Sequence, residues 1–163
     1  MASTLHIAPE QAALTAAAEL QQLLPELVAL SLEAKQAHWN VTGPSFLALH
    51  ALTDEIAVHA RSWADRVAER AVALGFTVDA RPWTVAAVAR DFPSGRLVDP
   101  PAASGTAWPS AAVELGIRID HVAAVAHSLL AALVDTDAVA HDLTVAVLEG
   151  LERYAWLLRA QST

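Results

Sequence analysis

Five side chains in the first half of the chain have the types and spacing of metal ligands. His38 and His50 lie twelve residues apart, and Asp54 follows His50 by four. Asp65 comes eleven residues after Asp54, and Glu69 follows it by four. Residues four apart share one face of a helix, and eleven residues are almost a whole number of turns. The pair His50 and Asp54 and the pair Asp65 and Glu69 therefore project from one side of the same predicted helix.

These donors would make a mixed nitrogen–oxygen site. Imidazole suits zinc, copper, iron and nickel, whereas carboxylate suits harder ions. The chain has no cysteine, so a thiolate site is excluded. The combination fits iron(II), with manganese and zinc as competitors. The alternative needs no metal: His38 would stand near the end of a helix, and Asp65 and Glu69 would lie on a solvated helix face.

One chain cannot bring all five donors to one ion. Asp54 and Asp65 are separated by roughly 16 Å along a helix, whereas metal–oxygen bonds are about 2 Å long. If two copies of this helix pack antiparallel about a two-fold axis, His50 and Asp54 of one copy face Asp65 and Glu69 of the other. His59, near the midpoint of the pattern, would then lie close to the axis. Each dimer would hold two equivalent sites.

Apolar residues with helical periodicity predict four long helices. They cover approximately residues 9–40, 45–74, 110–134 and 138–160. Pro25 should kink the first helix or break it. Ser45 is placed to cap the second helix, which Gly75 ends, and an aspartate of the turn "DTDA" caps the fourth.

Residues 76–109 form the long connection between the second and third helices. Their five prolines and two glycines exclude a long helix, but "TVAAVARD" can form about two turns with Thr84 as cap. Four helices with one long crossover predict an all-α four-helix bundle with a short extra helix in that connection. We expect a single domain over residues 1–163, with a flexible N-terminal segment at residues 1–8.

The composition indicates an oligomer outside the membrane. Hydrophobic residues make up 55% of the chain and charged residues 17%, so the surplus apolar surface should be buried between subunits. No run reaches the roughly 18–20 uninterrupted apolar residues of a membrane-spanning helix. The opening "MASTLHIAPEQ" has no basic region followed by an apolar block, so we do not expect it to act as a secretory signal. With no cysteine in the chain, these features fit a cytoplasmic protein.

The charge distribution argues against nucleic-acid binding. Ten lysines and arginines stand against eighteen aspartates and glutamates, a formal net charge of −8. Residues 1–34 contain no lysine or arginine. Because phosphate binding requires a basic patch or arm, we do not expect the protein to bind DNA.

The segment "KQAHWNVTGPSFLALHALTDE", followed by "DRVAER", closely resembles the Dps mini-ferritins (DNA-binding proteins from starved cells) of the ferritin-like superfamily. The similarity includes the tryptophan of "ERYAWLLR" near the C-terminus, whereas residues 76–109 match poorly. The resemblance implies a ferritin-like fold and twelve subunits forming a hollow shell. It also implies ferroxidase sites that oxidise iron(II), preferably with hydrogen peroxide rather than oxygen, and a stored ferric mineral that limits oxidative damage.

The resemblance also assigns the ligands. His38, His50 and Asp54 would bind iron from one chain, and Asp65 and Glu69 from its neighbour. The tryptophan that follows the first of these histidines would stand beside the site, in a packing or a redox role.

Two other functions are open at this point. One is a nucleoid-binding structural protein with weak or no ferroxidase activity, and the other is a helical oligomer whose metal ligands have lost activity. Family members that bind DNA often use a tail rich in lysine and arginine, which this chain lacks. Twelve chains would carry a formal charge of −96 (12 × −8), which should repel DNA.

Overall fold

Four long helices form a bundle in the computed structural model, which describes residues 9–91 and 106–161. The elements in chain order are α1 (Pro9–Asn40), β1 (Val41–Thr42), α2 (Phe46–Ala73), α3 (Pro82–Asp91), β2 (Thr106–Ala107), α4 (Trp108–Leu133) and α5 (Ala138–Gln161). Helices α1, α2, α4 and α5 make the bundle, and the short α3 packs against α1. The predicted all-α fold, with its extra helix in the long connection, is confirmed. The expectations for residues 1–8 and 92–105 lie outside the described residues.

The core is an apolar layer to which all four long helices contribute. Its largest fully buried apolar side chains are Leu20, Leu23, Leu27, Leu30, Leu49, Ile56, Leu115, Ile119, Leu133 and Leu151. Many alanines fill the remaining positions, which lets the helices approach closely. Because one face of α1 and of α2 packs in this core, only the opposite face of each helix can carry a functional site.

Helix α1 passes through Pro25 without interruption. Proline removes one backbone hydrogen bond and disfavours a helix interior, so a kink or a break is expected at Pro25; the break does not occur. Pro25 is buried between Leu24 and Leu27, which belong to the core. Packing of the apolar face therefore outweighs the lost hydrogen bond.

Helix α2 ends as the sequence predicts. Gly75 has a φ of +87°, a conformation that glycine adopts without strain. Its N–H donates to the carbonyl of Val72 (2.9 Å), and the N–H of Phe76 donates to that of Ala71 (3.1 Å). These two bonds satisfy carbonyls that the helix end leaves free.

Three predicted helix starts need correction. Ser45 occupies the cap position of α2, but its side chain makes no capping hydrogen bond. Thr84 lies within the first turn of α3, because that helix begins two residues earlier at Pro82. Helix α4 begins at Trp108, so Pro109 lies in its first turn rather than before Ser110. Proline is favoured in a first turn, since its missing N–H would have no partner there.

The cap of α5 is as predicted. The carboxylate of Asp137 accepts a hydrogen bond from the N–H of Ala140 (2.6 Å). The same carboxylate accepts two hydrogen bonds from the guanidinium of Arg70 on α2. One aspartate therefore caps α5 and joins it to α2.

Two very short strands were not predicted. Val41 pairs with Thr106, and Thr42 with Ala107, in parallel register. This pairing connects the turn between α1 and α2 to the start of α4. Two-residue strands have no periodicity by which sequence patterning could detect them.

By length and composition, one helix of the described chain could cross a membrane: the Ala111–Leu133 part of α4, with a mean hydropathy of 1.2. Its Leu115, Ile119 and Val122 belong to the bundle core. Arg118 is also buried on this helix. The bundle therefore buries part of the apolar surface of α4, and 39% of the apolar window is buried.

Candidate metal centre

His38, near the end of α1, and His50, in the first turns of α2, face each other. Their rings stack with centroids 3.7 Å apart and planes inclined by 21°. Nδ1 of His38 lies 2.7 Å from the carbonyl oxygen of His50. Nδ1 of His50 lies 2.9 Å from the carbonyl oxygen of His38. Each ring is thus held by the backbone of the other residue.

This reciprocal arrangement defines which nitrogen is free. A carbonyl oxygen only accepts, so each Nδ1 must carry the hydrogen and donate it. In a neutral ring, Nε2 then presents its lone pair. Metal-bound histidines are commonly oriented in this way, by a second hydrogen bond to a carbonyl or carboxylate. The pair is therefore set to offer two Nε2 atoms.

The turn between α1 and α2 brings His38 and His50 together, although they are twelve residues apart. Gly43 has a φ of +111°, which allows the chain to reverse. Its carbonyl accepts from the N–H of Phe46 (3.1 Å), and the side-chain amide of Asn40 donates to the carbonyl of Gln36 (2.8 Å). Val41 is buried in the core just after α1. These local features place the two histidines at the same end of an antiparallel helix pair.

Asp54 lies beside the histidine pair and is held by a lysine. Nζ of Lys35 is 2.6 Å from Oδ1 of Asp54. The pKa of Asp54 lies below its usual range, because Lys35 donates this hydrogen bond and because Lys35, His38 and His50 contribute favourable charge. The carboxyl group is therefore ionised and ready to bind a cation. Sequence reasoning missed Lys35, although its position three residues before His38 places it on the same helix face.

Lys35 should compete with a metal ion for Asp54. We expect Lys35→Met to bind iron(II) several-fold more tightly, because the ion no longer has to displace an ammonium group and meets less positive charge. Anaerobic iron(II) titration measures the change. Lys35→Arg, which keeps a cation at this position, is the matched control and should bind like the wild type. Weaker binding by Lys35→Met would contradict this role.

An open groove between α1 and α2 borders Asp54. It has a volume of about 690 Å³, and Lys35 and Trp39 contribute to its lining. Several of its apolar side chains are exposed, including Trp39 (68%) and Val58 (60%). Trp39 thus stands next to the candidate site with most of its surface in solvent. An exposed apolar face at this position is suited to a contact with another chain.

Asp65 and Glu69 lie further along α2, away from the histidines. Asp65 is exposed. Glu69 lines a separate cleft of about 480 Å³ with Arg66 and Asp142. Among the described residues, no three histidine, aspartate or glutamate side chains gather at one point of a single chain. The structure stacks His38 on His50 and places Asp54 near enough for both rings to lower its pKa, but Asp65 and Glu69 lie apart, so a five-ligand site in one subunit is not formed.

Sequence reasoning also missed a buried charge cluster between α1 and α4. Arg118 is fully buried, with Nη2 2.8 Å from Glu26 and Nε 2.7 Å from Glu33. Nε2 of His121 lies 3.6 Å from the other oxygen of Glu26. Burial raises the pKa of Glu33, and Arg118 opposes that rise. The cluster holds charge inside the bundle.

Comparison with known proteins identifies the class. A family model for the ferritin-like domain matches residues 17–163. The four-helix bundle with its long crossover agrees with that class.

Individual relatives narrow the class further. DNA protection during starvation protein 2 of Deinococcus radiodurans is 43% identical over 82 residues, which are 49% of this chain but only 34% of that protein. The DNA protection during starvation protein of Mycolicibacterium smegmatis is 30% identical over 149 residues, 86% of this chain and 73% of that protein. The structure of Dps from Microbacterium arborescens in the high iron form superposes with a TM-score of 0.80 at 30% identity, covering 92% of this chain and 93% of that one.

The chain therefore belongs to the Dps family of mini-ferritins. This family is associated with iron storage and with protection, and membership implies iron binding.

Proposed function

We propose that the protein oxidises iron(II), preferably with hydrogen peroxide, at sites shared between two chains. The oxidised iron is stored as ferric mineral in a hollow shell of twelve cytoplasmic subunits, which limits oxidative damage. The observation that carries this proposal is the reciprocal histidine pair: both Nδ1 atoms donate to carbonyls, so each Nε2 can offer its lone pair, and both rings are near enough to Asp54 to lower its pKa. Such a pair of neutral imidazoles is suited to bind an iron ion reversibly.

The donor set explains the direction of the chemistry. Iron is the substrate here, and carboxylates stabilise its higher charge after electron loss. Two iron(II) ions supply one electron each, the O–O bond of hydrogen peroxide breaks, and two protons are taken up to give two waters. Delivering both electrons together avoids the one-electron route to hydroxyl radical. A partly open site with few charged ligands would then release iron to the mineral.

The second half of each site comes from a neighbouring chain in this proposal. His38, His50 and Asp54 of one subunit would face Asp65 and Glu69 of the next. Support comes from the separation of the two groups along α2 (Phe46–Ala73) and from the exposed apolar groove beside Asp54. A two-fold axis near the middle of α2 satisfies both groups at once.

Stopped-flow oxidation tests the chemistry. We expect anaerobic protein loaded with iron(II) to oxidise it faster with hydrogen peroxide than with oxygen, at equal oxidant concentration. The mass of the particle, measured in parallel, should be that of twelve chains. Oxidation no faster than in protein-free buffer would overturn the ferroxidase assignment and favour a structural protein. The His38→Ala, His50→Ala variant supplies the matched background rate.

We expect no retention of duplex DNA in a gel at near-neutral pH and physiological salt. The chain has a formal charge of −8, and residues 1–34 contain no lysine or arginine, so the N-terminal segment offers no basic arm to replace the counterions of DNA phosphates. The measurement is a mobility shift in magnesium-free buffer. Tight binding there would support the nucleoid-binding alternative. Retention only after addition of divalent ions would indicate bridging between two anionic surfaces.

A further inference from the structure

A second group of metal-type donors lies on the seam between α2 and α5. The hydroxyl of Tyr154 is 2.8 Å from Oε1 of Glu55. It also contacts Nδ1 of His59. The phenolic oxygen has one hydrogen and can donate it to only one of the two. A carboxylate, an imidazole and a phenol therefore converge on one point, and the ferroxidase chemistry uses none of them.

This group of Glu55, His59 and Tyr154 is buried on the tyrosine side and exposed on the other. Tyr154 is only 1% exposed, whereas the side chain of Glu55 is 44% exposed and His59 faces solvent. The ring of Tyr154 has Trp63 6.3 Å away. Gly150 makes room for this indole, because a Cβ there would lie 2.3 Å from its Cζ2 atom. In the single chain, an ion can approach from the side of Glu55 and His59, and Tyr154 is buried behind them.

The donors favour a hard, highly charged cation. Carboxylate and phenolate oxygens suit iron(III) better than soft metals. Bonds of about 2 Å from one ion place neighbouring donors roughly 3 Å apart, which is the separation between the Tyr154 and Glu55 oxygens (2.8 Å). Burial, and then the hydrogen bond to Glu55, raise the pKa of Tyr154. The hydroxyl is thus protonated without metal, and an ion that binds it must displace the proton.

The carboxylate of Glu55 already forms an ion pair with Arg153. Nη1 of Arg153 is 3.3 Å from Oε1 of Glu55, and the guanidinium lies 5.2 Å from the centre of the Tyr154 ring. Arg153 and Glu55 are both exposed, so their ion pair is weak. A trivalent ion can displace it.

We propose that Glu55, His59 and Tyr154 form a second iron site, which binds iron(III) as a phenolate complex. Glu55 follows Asp54 directly, about 100° further around α2. An ion bound there takes the place of the phenolic hydrogen, and the proton leaves to solvent as the iron–oxygen bond forms. The supply of iron(III) rests on the proposed function, but binding of added iron(III) does not.

The only tyrosine of the chain makes the test specific. One equivalent of ferric nitrilotriacetate per chain should give a broad visible charge-transfer band with phenolate vibrations in resonance Raman. Tyr154→Phe should lose both while keeping the same helical circular dichroism. Glu55→Gln and His59→Gln should weaken binding by roughly tenfold or more. His127→Gln, which changes an exposed histidine of α4, is the matched control and should bind like the wild type.

The His38→Ala, His50→Ala variant separates the two proposals. It should lack iron(II) oxidation yet show the full band with added iron(III). Bound iron(III) without phenolate vibrations in the wild type would overturn the second site, whatever the ferroxidase result. Loss of the band in this histidine variant, with its fold intact, would also overturn it, because the phenolate site would then depend on the first.

Discussion

Two inactive variants are expected to restore each other's activity when they are assembled into one particle. One variant carries Asp65→Ala with Glu69→Ala, and the other carries His38→Ala with His50→Ala. Particles made of either variant alone should lose nearly all iron(II) oxidation. In a mixed dimer the histidines of one chain meet the carboxylates of the other, so one of its two sites is intact. Random mixing makes half the dimers mixed, and activity should recover to about a quarter of the wild type.

The control uses two defects in the same half of the site. Particles mixed from His38→Ala chains and His50→Ala chains should gain nothing, because every site then lacks one histidine. Native mass spectrometry must show that both variants share a particle. Activity that stays at background in such particles would mean that the site is not divided between chains. A uniform Asp65→Ala, Glu69→Ala particle with near-normal oxidation would remove these carboxylates from the ligand set.

Local signals explain how much could be predicted from the sequence. The helices follow from apolar periodicity, and their ends from single residues such as Gly75 and Asp137, whose backbone partners are a few positions away. The placement of His38 beside His50 follows from a short turn and antiparallel packing. In each case the interacting groups are close in sequence, so spacing alone is informative.

Interactions between distant segments could not be predicted in this way. Lys35 contacts Asp54 only after α1 and α2 have packed. Tyr154 lies about a hundred positions beyond Glu55, and nothing in either segment indicates the other. Ser45 was misjudged for a different reason: it has the right residue type at the cap position, but its φ of −97° and ψ of 19° lie outside the extended conformation usual for a cap, and its side chain makes no capping hydrogen bond. Residue type predicts a capacity, and packing decides whether it is used.

The buried cluster of α1 and α4 leads to the largest expected effect on stability. Arg118 is fully buried and pairs with Glu26 and Glu33. Replacing it by methionine leaves the glutamates without this counter-charge in a region of low dielectric. Removing one partner of a buried ion pair costs about 3–5 kcal/mol. For a chain of this size that is a decrease in Tm of roughly 6–20 °C, measured by calorimetry at one fixed protein concentration.

Neutralising the glutamates should reverse part of this loss. Glu26→Gln and Glu33→Gln, added to Arg118→Met, remove the charges that were stranded, so the triple variant should unfold at a higher temperature than Arg118→Met alone. Leu115→Ala is the matched control, because it destabilises the same helix by leaving an apolar cavity and changes no charge. The same glutamine substitutions should give it no benefit, because its Arg118 would then lose the negative charges of Glu26 and Glu33.

The loss in Arg118→Met should also depend on pH, with a sign that follows from Glu33. The pKa of Glu33 is raised by burial even with Arg118 present, and it must rise further when that cation is removed. A raised pKa in the folded protein contributes stability below the unfolded pKa, and this contribution is lost as pH rises through the folded pKa. The variant should therefore be less destabilised near pH 5 than near pH 8. A difference in Tm between variant and wild type that is the same at both pH values would mean that Arg118 stabilises the bundle by packing rather than by charge.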